Sequence, residues 1–153
     1  MLAMDAECGF HLDSNGADLL EIHGPTILVD IGFDPAYDPK TATIPPVPLI
    51  QNMLALVDTG ASESFIDNGL AVALQLPVVD KGAVSGSIGS HPSDIYVAQI
   101  RVPALNVNIY GRFSGVNLIA GGQSHSVLLG RTFLRHLVMS YDGKTGRVTL
   151  TTA

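Results

Sequence analysis

Residues 54–64 read Leu-Ala-Leu-Val-Asp-Thr-Gly-Ala-Ser-Glu-Ser, and the rest of the chain is organised around this stretch. The apolar run at residues 54–57 predicts a buried strand rather than a half-exposed one. This strand delivers Asp58 into a turn of small residues. Because a buried carboxylate is costly unless it accepts hydrogen bonds, we expect Gly60 to let a backbone N–H approach Asp58 closely. The Thr59 hydroxyl is expected to bond across the same turn.

The composition is that of one compact domain built from short strands and turns. The chain has 153 residues, of which 46% are hydrophobic and 14% charged, with 16 glycines and 9 prolines. This is unlike a coiled coil or a disordered chain. A net charge of −6 with only 8 lysines and arginines argues against a nucleic-acid partner. No apolar run approaches membrane-spanning length, and the N-terminus lacks a signal-peptide pattern, so we expect a soluble, cytoplasmic protein.

Other catalytic chemistries fit the sequence poorly. Cys8 is the single cysteine, which excludes an intrachain disulfide and a cysteine-based zinc site. The five histidines have no metal-ligand spacing, and residues 122–126 (Gly-Gln-Ser-His-Ser) differ from the Gly-x-Ser-x-Gly motif of a nucleophilic serine. The glycine-rich residues 85–90 lack the Gly-Lys-Ser/Thr of a phosphate loop. We therefore expect no metal and no organic cofactor.

Alternating apolar residues separated by turn formers predict a mostly β chain. Strands are expected at residues 25–33, 54–57, 106–112, 116–119 and 127–130, and hairpins at residues 82–101 and 138–150. The proline-rich residues 34–48 are expected to be a surface connection. Residues 1–18 are expected to be loose or weakly strand-like, with hairpin arms considered at residues 7–12 and 19–23.

Two short helices are predicted between these strands. Residues 65–76 carry apolar side chains at helical spacing, with Ser62 or Ser64 as the N-cap and Pro77 as the stop. A second helix is expected at residues 131–137. A strand, a turn and a helix thus follow one another twice in the chain, which predicts a weak internal repeat.

Residues 57–62 (Val-Asp-Thr-Gly-Ala-Ser) resemble the active-site signature of the aspartic proteases, in the Asp-Thr-Gly-Ala form of the retropepsins. Asp-Thr-Gly alone is also a common strand-ending turn, so the interpretation depends on the motifs around it. The resemblance covers residues 25–150 and implies a mostly β, retropepsin-like acid protease fold: a closed small β-barrel with a flap hairpin and one or two short helices. It implies a domain at residues 24–153, after an N-terminal lead-in or pro-like segment at residues 1–23.

The resemblance also assigns roles to individual residues. It implies that Asp58, Thr59 and Gly60 are catalytic. It further implies that the hairpin tip, which an ordinary turn would also explain, is a flap closing over an extended substrate, formed by Ser85, Gly86, Ser87, Ile88 and Gly89.

Four residues would support the catalytic turn from behind: Ala61, Ser62, Gly130 and Arg131. Retroviral relatives have an acidic residue, which pairs with the arginine, at the position of Ser62. Here Glu63 comes one residue later, so that ion pair has no direct counterpart. Arg131 is otherwise read as a solvated helix residue.

Peptide hydrolysis by this chemistry needs two neighbouring carboxylates, and the chain has one Asp-Thr-Gly. Residues 142–146 (Asp-Gly-Lys-Thr-Gly) are not a second copy, because Lys144 interrupts the motif. The resemblance therefore implies a homodimeric endopeptidase that joins Asp58 to the partner's Asp58 and acts on a peptide or protein substrate. Residues 147–152 could then extend a sheet across the interface. The alternative is a non-proteolytic retropepsin-fold module for binding or dimerisation.

Overall fold

The computed structural model of the chain describes residues 3–38, 40–41, 47–86 and 89–153. The described residues form strands β1 (Asp5–Glu7), β2 (Thr26–Gly32), β3 (Pro48–Val57), β4 (Phe65–Asp67), β5 (Val78–Gly86), β6 (Gly89–Val102), β7 (Val107–Val116), β8 (Val127–Leu129), β9 (Val138–Asp142) and β10 (Arg147–Thr151). The helices are α1 (Gly16–His23), α2 (Asn68–Ala73) and α3 (Arg131–Leu134), with a 3₁₀ turn at Pro103–Leu105. Across these ranges no helix combines the length and the apolarity needed to cross a membrane.

Six strands close into a barrel, which confirms the predicted fold class. The strands follow the order β2-β3-β8-β4-β7-β6, and β6 pairs back onto β2 at Asp30↔Arg101 to close the ring. β5 continues the sheet beyond β6 as the second arm of a long hairpin. Closure satisfies backbone groups that an open sheet would leave at its edges. The interior is filled by apolar side chains, among them Val29, Ile31, Ala55, Ile66, Ala98, Ile100 and Val127.

β3 alternates in burial, which corrects the prediction of a fully buried strand. Ala55 and Val57 are 0% and 3% exposed, whereas Leu54 is 38% exposed and Leu56 is half-buried. A barrel strand has one face toward the core and one face outward. Leu54 and Leu56 therefore lie on the outer face, and the apolar run reflects two environments rather than one.

The N-terminal segment packs against the barrel. β1 pairs with β10, and Ala6, Cys8 and Leu20 belong to the same core cluster as the barrel strands. The hairpin arm considered at residues 19–23 is wrong, because these residues lie in α1. The helix buries Leu20 and ends at His23, and its C-cap is Gly24, whose φ of 71° suits glycine. The arm considered at residues 7–12 is also wrong, since β1 ends at Glu7. The role of residues 1–23 as a pro-like segment stays a prediction.

The two predicted helices are shorter than expected. Phe65–Asp67 forms β4, because these residues pair with β7 and β8, and α2 begins only at Asn68. The N-cap is Asp67, which accepts from the Leu70 N–H at 3.0 Å, so the assignment of Ser62 or Ser64 as the cap is wrong. α3 ends at Leu134 rather than at residue 137.

The predicted hairpins are present, and one predicted strand is absent. β5–β6 and β9–β10 form the expected hairpins. β7 extends to Val116, and the strand expected at residues 116–119 is wrong, because the chain turns there with the Leu118 N–H bonded to the Val116 carbonyl at 3.1 Å. Much of the proline-rich connection, at residues 39 and 42–46, lies outside the described residues.

β10 is the central strand of a separate sheet ordered β1-β10-β9. Its residues pair with β1 on one side and with β9 on the other, and the Thr152 N–H bonds to the Met4 carbonyl at 3.0 Å. The suggestion that residues 147–152 extend a sheet across an interface is therefore wrong. A strand paired on both sides has no free edge to offer.

Candidate active site

Asp58 lies where β3 leaves the barrel. The Asp58 N–H bonds to the Leu129 carbonyl at 2.9 Å, which continues the β3–β8 ladder by one residue. The carboxylate oxygen Oδ1 then accepts from the Gly60 N–H at 2.9 Å, and the Ala61 N–H closes the turn onto the Asp58 carbonyl at 3.3 Å. The close approach of the Gly60 N–H is the one expected from the sequence. It fixes one carboxylate oxygen and leaves the other side of the group open.

The turn is at the surface of the single chain. Asp58 is half-buried, and Thr59 and Gly60 are exposed. The sequence predicted a buried carboxylate, but in one chain the outer face of β3 is not covered by a second layer. Asp58 is therefore accessible to water and to another molecule.

β8 and the start of α3 hold the turn from behind. The Arg131 N–H bonds to the Ala61 carbonyl at 2.8 Å, and its guanidinium Nη1 donates to the Thr59 carbonyl at 2.8 Å. The Gly130 N–H donates to Ser64 Oγ at 3.1 Å. Arg131 contacts the turn through a backbone carbonyl, and it takes part in none of the ion pairs found among the described residues.

Gly130 is required by this packing. A Cβ built on it would lie 2.1 Å from the Glu63 carbonyl oxygen and 2.8 Å from that of Ala61. Both neighbours are backbone atoms, which cannot rotate away as a side chain can. Any other residue at this position would push the turn at residues 58–63 outward.

Asp67 is a second carboxylate with a purely structural set of contacts. It is buried, its Oδ1 accepts from the N–H groups of Leu118 and Ile119 at 3.0 and 3.1 Å, and its Oδ2 caps α2 at Leu70. These bonds tie the segment before β8 to the helix after the turn. Asp67 was not singled out from the sequence, although an aspartate immediately before a helical stretch is a capping signal.

An apolar row beside Asp58 was also missed. Leu56 is in register with Leu128, and Leu128 is in register with Phe65 across three strands. All three side chains are half-buried on the outer face, the face toward which Asp58, two residues after Leu56, also points. The signal available in the sequence was the alternation of Leu54 and Leu56 with buried neighbours, but the row appears only once the pairing register is known.

The hairpin expected to act as a flap is formed by β5 and β6. Ser85 pairs with Ser90 and Gly86 with Gly89, whose φ of 111° is one that glycine adopts easily. Ser87 and Ile88, at the predicted tip, lie outside the described residues. Farther from the tip, an ion pair between Lys81 and Asp94 links the two arms.

Two other reactive side chains are buried. Burial, with a contribution from Glu7, raises the pKa of the Cys8 thiol to about 12, so this cysteine is protonated and poorly nucleophilic. His125 bonds through Nε2 to the Thr26 hydroxyl at 2.8 Å, and burial lowers its pKa, with a smaller effect from His23. In the part of the chain that the structure describes, no three His, Cys, Asp or Glu side chains group as metal ligands.

Comparison with solved structures identifies the fold. A retropepsin-like aspartic protease from Rickettsia conorii matches 98% of this chain and 92% of its own at 12% identity, with a TM-score of 0.54. EIAV protease in complex with the inhibitor HBY-793 matches 72% of this chain and 85% of its own (18% identity, TM-score 0.48). The retroviral protease-like domain of Ddi1 from Leishmania major matches 78% of this chain and 82% of its own (16% identity, TM-score 0.41).

Comparisons at the level of sequence give no assignment. No protein-family model matches the chain, and no curated protein matches it. The similarity to the Rickettsia conorii protein extends over nearly the whole of both chains, and at 12% identity it is a similarity of fold. The chain therefore has the retropepsin-like fold of that aspartic protease.

Proposed function

We propose that this protein is an aspartic endopeptidase that acts as a homodimer. The observation that carries the proposal is the half-buried Asp58 carboxylate, held by the Gly60 N–H at the mouth of a retropepsin-like barrel. A binding module of the same fold has no need of a carboxylate in this position. Thr59 and Gly60 complete the catalytic turn.

The reaction requires two carboxylates that share one proton. One acts as the general base on the attacking water, and the other protonates the scissile carbonyl as the general acid. Two carboxylates a hydrogen bond apart cannot both ionise, so the pair titrates as a unit and is most active under weakly acidic conditions. The partner subunit's Asp58 would provide the second group, and the exposure of Thr59 and Gly60 supports contact at this position.

Arg131 and Gly130 are positioning residues in this scheme. Arg131 fixes the carbonyls of Thr59 and Ala61, and Gly130 allows β8 to approach the turn closely. Fixing the backbone that follows Asp58 restricts the carboxylate to one orientation, which preorganises it for proton transfer. Ala61 and Ser62 form the outgoing half of the same turn.

The apolar row suggests the substrate class. Leu56, Leu128 and Phe65 would contact side chains next to the scissile bond, which favours apolar residues there. The β5–β6 hairpin, with Ser85, Gly86, Ser87, Ile88 and Gly89 at its end, would close over an extended peptide as a flap and exclude water. No metal and no organic cofactor takes part.

Cleavage of a reduced, carboxymethylated protein across the weakly acidic to neutral range tests the proposal. We expect cleavage by the wild type that is unaffected by a chelator, is blocked by pepstatin and falls by at least ~10³-fold in Asp58→Asn, because an amide can serve neither as the general base nor as the general acid. Asp142→Asn is the matched control, since it changes an exposed Asp-Gly turn at the far end of the chain. Cleavage that survives Asp58→Asn would contradict the assignment of Asp58.

The alternative is a non-proteolytic module for binding or dimerisation. The observation that favours it is the polar arm of the hairpin, where Ser90, His91 and Pro92 are exposed and offer little apolar surface to a substrate. A folded, dimeric wild type that cleaves nothing at any pH would favour this alternative.

A further inference from the structure

β7 has an open edge that faces a groove. β6 pairs with β7 along its length up to Ser114, whereas β4 pairs with it only from Ser114 to Val116. Within the described ranges, no strand pairs with the other edge of residues 107–113. Every second residue there directs its N–H and C=O groups outward, which leaves about 20 Å of strand edge for another backbone to bind.

The groove beside this edge is large and mostly apolar. Its volume is about 700 Å³, and all residues from Val107 to Ser114 line it. The opposite wall is formed by α3 and the residues after it, chiefly Phe133 and Leu137. A groove with a strand edge on one side and apolar side chains on the other fits an extended chain carrying apolar residues at alternate positions.

One end of the groove indicates, by its position and its charge, what kind of ligand the groove binds. Glu63 and Ser64 line this end, and they follow the catalytic turn directly in the chain. Glu63 is exposed and takes part in none of the ion pairs found among the described residues, whereas Arg112 in the same groove is paired with Asp80 at 3.4 Å. This end therefore favours a chain with a basic side chain.

We propose that the groove binds the flanking part of an unfolded polypeptide substrate, which adds to β7 as an extra strand while its scissile bond lies at Asp58. The inference rests on the proposed endopeptidase function and extends its substrate class from short peptides to long, extended chains. Strand addition to an open edge provides affinity through backbone hydrogen bonds, and the apolar wall and Glu63 add side-chain preference. The catalytic site then recognises a few residues, and the groove recognises the length and basic charge of the chain.

Gly111 allows a clean test, because it lies in the middle of the open edge. A Cβ built on Gly111 would meet no atom within 4 Å, and Gly111 lines the groove, so we expect a leucine there to extend into the groove. Gly143 provides the matched control. It lies in the β9–β10 turn, and a Cβ on it would contact only the Tyr141 ring, at 3.5 Å.

The first probe is a fluorescein-labelled apolar peptide of about 8 residues. Two further probes extend it to about 16 residues with a segment that has apolar residues at alternate positions and contains lysine. One of them carries this segment at the N-terminus and the other at the C-terminus. Binding is measured by anisotropy in the Asp58→Asn background, so that no cleavage is needed. We expect one extended peptide to bind about tenfold more tightly than the short one. Asp58→Asn/Gly111→Leu should lose this gain, and Asp58→Asn/Gly143→Leu should keep it.

Two binding results would overturn the inference: no gain in affinity from either extension, or a gain that survives Gly111→Leu. A change from dimer to monomer on Gly111→Leu, measured by sedimentation, would also overturn it, because a second copy of the chain would then be the occupant of the groove. The outcome is separable from the catalytic proposal. A wild type that cleaves no substrate, combined with a gain that depends on Gly111, would reject the endopeptidase and keep the groove. Normal Asp58-dependent cleavage, with no gain in affinity from either extension, would keep the endopeptidase and reject the groove as a binding site.

Discussion

The two strand–turn–helix segments of the barrel begin alike and end differently. β3 and β8 lie parallel in register, with Val57 beside Leu129, so Asp58 and Gly130 occupy matching positions at the two strand ends. After β3 the chain makes an exposed turn and inserts β4 before its helix, whereas after β8 it enters α3 at once. The first segment presents a carboxylate, and the second provides the surface against which the turn carrying that carboxylate is fixed.

The difference between the two segments lies in accessibility. The first segment keeps its turn accessible, with Asp58 half-buried, and the second has a buried glycine in contact with the carbonyls of Ala61 and Glu63. Catalytic side chains need freedom on one side and firm backing on the other. The comparison leads to three predictions in addition to those for Asp58 and Gly111.

Gly130→Ala should have the largest effect on folding. The new methyl group would overlap the backbone of the first segment, and we expect the free energy of unfolding to fall by about 3 kcal/mol. Urea denaturation measures this change. Gly143→Ala is the control and should stay within about 0.5 kcal/mol. Equal stability of the two variants would mean that the turn at residues 58–63 can move away at little cost.

Asp67→Ala should have the next largest effect. It removes the acceptor of three backbone N–H groups, at Leu70, Leu118 and Ile119, and two of these lie in the segment leading to β8. We expect a loss of about 2–3 kcal/mol in the free energy of unfolding, because the N–H groups lose their partner in a buried position. Asp13→Ala, at an exposed site, should change it by less than about 0.5 kcal/mol. A loss no greater than that of Asp13→Ala would refute the structural role of this carboxylate.

Arg131→Met should have the smallest effect on stability and a clear effect on activity. The substitution keeps the length of the exposed side chain and removes the bond from Nη1 to the Thr59 carbonyl. We expect a change in the free energy of unfolding of at most about 1 kcal/mol, and a roughly tenfold decrease in kcat with KM little changed, because the turn loses orientation rather than a substrate contact. Arg135→Met, which alters another exposed arginine one helical turn later, should leave kcat unchanged. Equal kcat values for Arg131→Met and Arg135→Met would show that Arg131 is only a solvated helix residue.

Local signals in the sequence were sufficient for much of the fold. The turn at Gly60, the hairpins and the strand before Gly130 follow from residue types and spacing that act within a few positions. Residues 19–23 were misassigned because an 8-residue helix with one buried leucine has little periodicity to detect. Phe65–Asp67 was read as helix because its pairing with two distant strands overrides local propensity.

The candidate site was predictable in its motif and not in its surroundings. The Gly60 N–H donates to Asp58 as the sequence predicts, and Arg131 bonds to the Thr59 carbonyl of the same turn. These residues are recognisable from short motifs, and their catalytic roles stay a proposal. The apolar row depends on register across three strands. The open edge of β7 depends on where β4 stops pairing, which is a property of the closed barrel as a whole.

The sheet β1-β10-β9 determines how the chains would assemble. Since β10 has both of its edges paired within one chain, each chain satisfies its own terminal backbone without exchanging a strand. In the proposed homodimer, folding would then be a unimolecular step and association a separate bimolecular one. Dilution would lower the activity per chain of a dimeric enzyme while leaving the structure of each subunit intact, so protein concentration itself would regulate proteolysis.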